Sequence, residues 1–196
     1  MLDSHPGVVQ TVLMRNILTA AAALAALVLP AAAGAELPTG AAAPAFATQG
    51  AIAGKPFALN LRSALRRGPV VLYFYPKAFT QGCTLEAHAF AEASEQFAAA
   101  GATVIGMSND DLPTLQRFST EACRDKFAVA IATPAIIQAY DVALSRPGMP
   151  TGLASRTSYV IGRNGRIAFV HSDLDYRDHV RLTLAAVQQL RGRKAR

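Results

Sequence analysis

Residues 69–86 read PVVLYFYPKAFTQGCTLE, and this stretch decides the fold. Pro69 to Tyr75 is continuously apolar, rich in β-branched and aromatic residues, and bounded by Gly68 and Pro76. Such a run suits a strand covered on both faces. From Thr84 to Ala100 the period changes. Cys83, Ala87, Phe90, Ala93 and Phe97 recur at three- and four-residue spacing, which predicts a helix. Glu86, His88, Glu92, Glu95 and Gln96 lie largely off its apolar face, and Gly101 ends it. A buried strand therefore runs into a turn, and the turn delivers Cys83 at the start of a helix.

Working outward, Ala102 to Met107 reads as a second buried strand. Asn109 or Asp110 can cap the next helix, where Pro113 is tolerated because it falls in the first turn. Leu112, Leu115, Phe118 and Ala122 give that helix an inward stripe. Phe127 to Ile131 is a further strand, and Pro134 opens a short helical piece that includes Ile137 and Tyr140. Arg156–Ile161 and Arg166–Val170 read as paired strands joined through Gly162-Arg163-Asn164-Gly165. A helix from Asp178 to Leu190 closes the chain, with Val180, Leu184 and Val187 on one face. Residues 36–54, punctuated by Pro and Gly, form a lead-in with one short hairpin. The order implies an α/β fold, with a central mixed sheet flanked by helices on both faces and residues 36–196 as a single domain.

The chain has 196 residues, a formal net charge of +6, two cysteines and a 52% apolar fraction, much of it in one alanine-rich stretch. Met14-Arg15-Asn16 is a short positive beginning, and Ile17 to Leu29 an uncharged apolar run. Pro30 breaks that run, and Ala33-Gly34-Ala35 places small residues before Glu36. This is the pattern of a cleaved secretory signal peptide, so residues 1–35 are read as extension plus signal. A transmembrane anchor is the alternative, but the run is short of the roughly 20 apolar residues a bilayer needs. Residues 1–13 do not resemble a signal, so the reading leaves both Met1 and Met14 as starts. The expected location is periplasmic or secreted, with no stable membrane association after cleavage. Two cysteines in an exported chain mean a structural disulfide or a redox pair. Four of the 19 Lys/Arg residues fall in the final RGRKAR, a solvated tail. No aromatic-interleaved basic patch accompanies it, so no nucleic-acid partner is inferred.

The chemistry gathers around Cys83. Thr80 can cap the helix and Gly82 permits close backbone packing. The unpartnered N–H groups of the first turn favour a thiolate and can hold peroxide oxygens. On spacing alone Cys83 is equally a small buried hydrophobe, since it shares the stripe of Phe90 and Phe97. Arg156 alone reads as a surface arginine at a strand edge, and Cys123 as a core residue near the Leu112 face. His88 lies roughly 140° around an ideal helix from Cys83 and reads as exposed. His171 and His179 flank SDLDYRD, which reads as a solvated connection into the last helix. It lacks a spaced ligand motif, and no metal or cofactor is called for.

The spacing of Pro76, Thr80 and Cys83 resembles the active-site motif of the peroxiredoxins. The flanking VVLYFYP and CTLEA are similar to the bacterioferritin-comigratory, or plant-type Q, subfamily. The likeness runs from about Ala45 to Leu190, including the Ser/Asn-Asp run at 108–111 and the strand pair after Arg156. It implies a thioredoxin-like fold and a thiol-dependent peroxidase acting on hydrogen peroxide and organic hydroperoxides. Cys83 would attack the peroxide and become a sulfenic acid. Thr80 would hydrogen-bond thiolate or peroxide, Pro76 would shape and shield the loop, and Arg156 would orient the peroxide with its donor fork.

One departure matters. Many subfamily members carry a resolving cysteine five residues after the peroxidatic one, where this chain has His88. The resemblance then implies Cys123, in the following helix, as resolving residue, through an intramolecular disulfide. Bonding requires Cα atoms within about 7 Å, so a helix end must unwind in each cycle. The implied reductant is thioredoxin, or a periplasmic thioredoxin-like protein given the export signal, and the implied state is a monomer. Three other readings are weighed: a one-cysteine peroxidase resolved by an external thiol, a dithiol oxidoreductase, and a copper metallochaperone on the same scaffold. The second lacks a Cys-x-x-Cys pair. The third wants two close cysteines and a histidine where only Cys83 stands.

Overall fold

The computed structural model describes residues 36–145, 147–148 and 152–194, and the expected leader lies outside them. The lead-in hairpin is β1 (Ala47–Ile52) and β2 (Lys55–Asn60), followed by α1 (Leu61–Arg67). The decisive stretch forms β3 (Val70–Phe74) and α2 (Gln81–Glu92), continued by α3 (Ser94–Ala99). Then come β4 (Thr103–Ser108), α4 (Leu112–Glu121), β5 (Ala128–Ile131) and α5 (Pro134–Ala139). The chain closes with β6 (Thr157–Ile161), β7 (Ile167–Ser172), a 3-10 turn at Tyr176–Asp178, and α6 (His179–Lys194).

These strands make one seven-stranded mixed sheet in the order β2-β1-β5-β4-β3-β6-β7. β3, β4 and β5 run parallel, and the other pairings are antiparallel. β3 sits inside the sheet and is buried along its whole length, as its unbroken apolar run requires. Its alternation divides the interior in two. Val71, Tyr73 and Tyr75 face a cluster with Cys83, Phe90, Phe97, Leu115, Phe118, Cys123 and Val187. Val70, Leu72 and Phe74 face a second cluster with Leu61, Leu65, Ile136, Ile137 and Tyr159. Helices α2, α3, α4 and α6 therefore cover one face, and α1 and α5 the other. This is the thioredoxin-like α/β arrangement expected.

Three details differ from the sequence reading. The helix expected over 84–100 begins at Gln81 and breaks at Ala93, where Gln96 N donates to Ala93 O in a tighter i→i+3 bond. The cap of α4 is Asp111, whose side chain accepts from Thr114 N at 2.9 Å. Asp110 is engaged elsewhere, as described below. α1 was not anticipated: seven residues are too short for a periodic signal, and its cap is Asn60, which accepts from Ser63 N at 3.0 Å. Among the described residues no helix is long and apolar enough to cross a membrane.

Candidate active site

The end of β3 and the loop after it set the site. Tyr75 N donates to Met107 O at 3.0 Å, which extends the parallel β3–β4 pairing one residue past the strand. Pro76 follows, half-buried, and the chain turns through Phe79, a non-glycine residue with φ of 63°. The turn is tied down from the neighbouring loop. Asp110 Oδ2 accepts from Ala78 N and from Ser108 Oγ, both at 2.8 Å. Thr80 occupies the N-cap position of α2, but its hydroxyl donates to Lys77 O at 2.9 Å and makes no capping bond. It is not hydrogen-bonded to Cys83, so the contact expected between Thr80 and the sulfur is absent. Thr80 contributes its carbonyl, which accepts from Thr84 N at 2.9 Å.

Cys83 is the third residue of α2 and 2% exposed, with a free thiol. Its position among first-turn N–H groups is the one the sequence suggested. Arg156, just before β6, is the distant arginine brought to it. Nη2 lies 3.5 Å from Cys83 Sγ, Nε donates to Leu174 O at 2.9 Å, and Nη1 donates to Glu86 Oε2. A side chain at Gly82 would place its Cβ 3.3 Å from that Nη2, so glycine here makes room for the guanidinium. Burial works against the Arg156 cation, yet Glu86 and Cys83 more than offset it and the group stays charged.

Behind this pair stand groups that the sequence reading placed in solvent. Glu86 was assigned to the polar side of its helix and is fully buried. Burial pushes its carboxyl up to about 8, with Arg156 pulling the other way. Three residues after Cys83, it shares that residue's side of the helix, and this spacing was the available signal. His179, read as part of a solvated connection, is also fully buried. Its Nδ1 lies 2.8 Å from Ser158 Oγ and 3.8 Å from Glu86 Oε1, and its Nε2 2.9 Å from Asp173 O. Burial holds His179 down at about 4, against the pull of its bond to Asp173. His171 packs edge-on to its ring at 4.6 Å between centroids. His88 is half-buried rather than exposed, and among the described residues no hydrogen bond joins it to the site.

Cys123 lies beyond the end of α4 on the same side of the sheet as Cys83, with no exposed surface. Burial raises its thiol far above the usual cysteine range. The turn that follows holds two consecutive left-handed non-glycine residues, Arg124 (φ 52°) and Asp125 (φ 60°).

Comparison with known proteins matches residues 39–170 to the AhpC/TSA family. Peroxiredoxin Q of Suaeda salsa, a chloroplastic protein, is 33% identical over 129 residues, 65% of this chain and 59% of its own. That of Sedum lineare is 30% identical over 139 residues, 70% of this chain and 72% of its own. The chain spans a little under three fifths of the length of several such relatives. Among solved structures, peroxidoxin BcpB of Mycobacterium tuberculosis superposes with a TM-score of 0.70 at 27% identity, covering 79% of this chain and 98% of that one. Peroxiredoxin Q of Xanthomonas campestris gives 0.64 at 25%, covering 73% and 90%. The family match spans the loop, Cys83 and Arg156 together. The chain belongs to the AhpC/TSA family, in its peroxiredoxin Q, or bacterioferritin-comigratory, branch.

Proposed function

We propose that the protein is a thiol peroxidase in which Cys83 sulfur attacks the peroxide O–O bond. The observation that carries this reading is the 3.5 Å contact between Arg156 Nη2 and Cys83 Sγ, within the first turn of α2. A buried cation and first-turn N–H donors stabilise charge where it develops on the departing oxygen. Sulfur loses two electrons and gains an oxygen as sulfenic acid, while the other peroxide oxygen leaves as water or alcohol. Pro76 and the Asp110-anchored loop shape the mouth of the site, and the free Thr80 lone pairs face hydrogen peroxide or an organic hydroperoxide. Cys123 then condenses with the sulfenic acid, releasing water and forming an intramolecular disulfide. Thioredoxin, or a thioredoxin-like protein of the periplasm, reduces it. The protein works after export and signal cleavage, as a monomer.

A second reading rests on a specific observation. Cys123 is wholly buried with its thiol held protonated, which suits a packing residue and leaves an external thiol to complete each cycle. Mass analysis after one equivalent of peroxide separates the two. The parent is expected to lose two hydrogens as a disulfide, and Cys123→Ser to gain one oxygen. A sulfenic acid persisting in the parent would establish the one-cysteine route. Inert Cys83 in both would end the peroxidase reading. The same measurement on exported protein, expected to begin near Glu36, tests the leader.

A further inference from the structure

Attack by a thiolate on a peroxide consumes one proton, because the departing oxygen leaves as an anion. The buried groups around Cys83 hold a source for it. Among the described residues Arg156 is the cation in direct contact with the sulfur, and two groups compete to be its anion: Cys83 at Nη2 and Glu86 at Nη1. Both are buried. A second buried anion without its own cation is strongly disfavoured. While Cys83 is a thiolate, Glu86 is therefore favoured as the neutral acid. Once the sulfur is neutral, Glu86 is free to ionise against Arg156.

Geometry on the far side of Glu86 agrees. Oε1 is buried without a hydrogen-bond partner and lies 3.8 Å from His179 Nδ1. The tautomer of His179 is set by its other nitrogen. Nε2 faces the Asp173 carbonyl, which only accepts, so Nε2 carries the hydrogen and Nδ1 presents a lone pair. Ser158 donates to that lone pair at 2.8 Å. With that lone pair taken by Ser158, Nδ1 offers Oε1 no N–H, and a buried carboxylate oxygen without a donor is disfavoured against the neutral acid. Burial acts in the same direction, disfavouring the charged form of both Glu86 and His179. The other groups that bear on this pair are Tyr73 from β3, whose phenol burial keeps neutral, His171 from β7 and Asp173 ahead of α6, while Asp175 bears on Arg156.

Resting on the peroxidase reading above, we propose that Glu86 holds a proton on Oε1 while Cys83 is a thiolate and releases it when the sulfur is oxidised. The balance is Cys83–S⁻ + ROOH + Glu86–COOH → Cys83–SOH + ROH + Glu86–COO⁻. One S–O bond forms, one O–O bond breaks, and sulfur supplies the two electrons. Condensation with Cys123 thiol to disulfide and water leaves the proton count unchanged. Arg156 stands between Glu86 and the sulfur, so Glu86 is a positioning residue that acts through Arg156 and through solvent, without touching the peroxide.

The test is a stopped-flow peroxide pulse on the reduced full chain near pH 7 in weak buffer with an indicator dye. Ultraviolet thiolate absorbance is read on the same samples, because a resting thiol would also take up no proton. With thiolate present in both proteins, the parent is expected to take up close to no protons per Cys83 oxidised, and Glu86→Gln close to one. The parent's peroxide rate should fall at alkaline pH as Glu86 ionises, the fall should vanish in Glu86→Gln, and Glu86→Asp should restore it. Equal proton uptake in parent and Glu86→Gln, with thiolate present in both, overturns the inference. Should Glu86→Gln fail to fold, an infrared difference spectrum of the parent decides. A protonated-carboxyl band is expected to disappear on oxidation, and its persistence would refute the role. A parent that consumes no peroxide defeats the peroxidase reading instead, so the two failures are distinct.

Discussion

Arg156 spends each face of its guanidinium on a different neighbour: Leu174 O, Glu86 and Cys83. This fixed fork cannot be reproduced by a lysine. It aims one donor at the sulfur because the other two are already anchored. His179 carries the residue-scale prediction. Its folded value, about 4, lies below the ordinary 6.5, so the unfolded chain binds the proton more readily. Stability from His179 is then fully present above pH 6.5 and lost as pH falls towards 4, on the order of 3 kcal/mol. Urea denaturation from pH 7 to pH 4 is expected to show that loss in the parent and much less of it in His179→Gln. At this scale the sequence brought out Cys83 and not its background. The strand-to-helix junction places Cys83 without deciding between chemistry and packing, and for both Cys83 and Arg156 the role comes from the resemblance. Glu86 and His179 stayed hidden because a charged residue in a polar-looking stretch reads as solvated. Only the fold shows that α6 packs against α2 and closes over both.

The loop between β3 and α2 depends on an element it does not belong to. Asp110, in the β4–α4 connection, supplies the acceptor for Ala78 N, and Ala78 is buried. Removing that acceptor leaves a buried N–H unpaired, which costs about 1–3 kcal/mol. Asp110→Ala is expected to lower the denaturation midpoint by that amount and slow the peroxide reaction, while Asp110→Asn, which keeps an acceptor oxygen, should lose less. Chemical denaturation and peroxide kinetics on the two variants check it. Long periodic elements were legible here: β3, β4, the β6–β7 pair and the face of α6 follow directly from apolar spacing. The breaks were not. Ala93 interrupts a helix without a glycine or proline to mark it, and Asp110 and Asp111 divide two jobs that either residue type could do. Their assignment depends on which one β4 turns towards Ala78.

Across the whole molecule, the sheet separates two interiors with different work to do. Both cysteines, Arg156's partner Glu86, and helices α2, α4 and α6 lie on one side, and α1 and α5 pack on the other without a reactive group. If Cys123 resolves Cys83, the unwinding that joins them is confined to the first side. Amide hydrogen exchange, compared between reduced and peroxide-treated protein, should rise at the start of α2 and the end of α4 and stay unchanged in α1, α5 and β3. A rise spread over both sides would show that the sheet does not insulate them. The turn after Cys123 gives this division a direction. Arg124 and Asp125 are both held left-handed, a conformation that costs non-glycine residues of order 1–3 kcal/mol each. That cost is refunded the moment the turn lets go. The turn beside the buried thiol is thus a latch already under load, and letting it open returns part of what it costs to free Cys123.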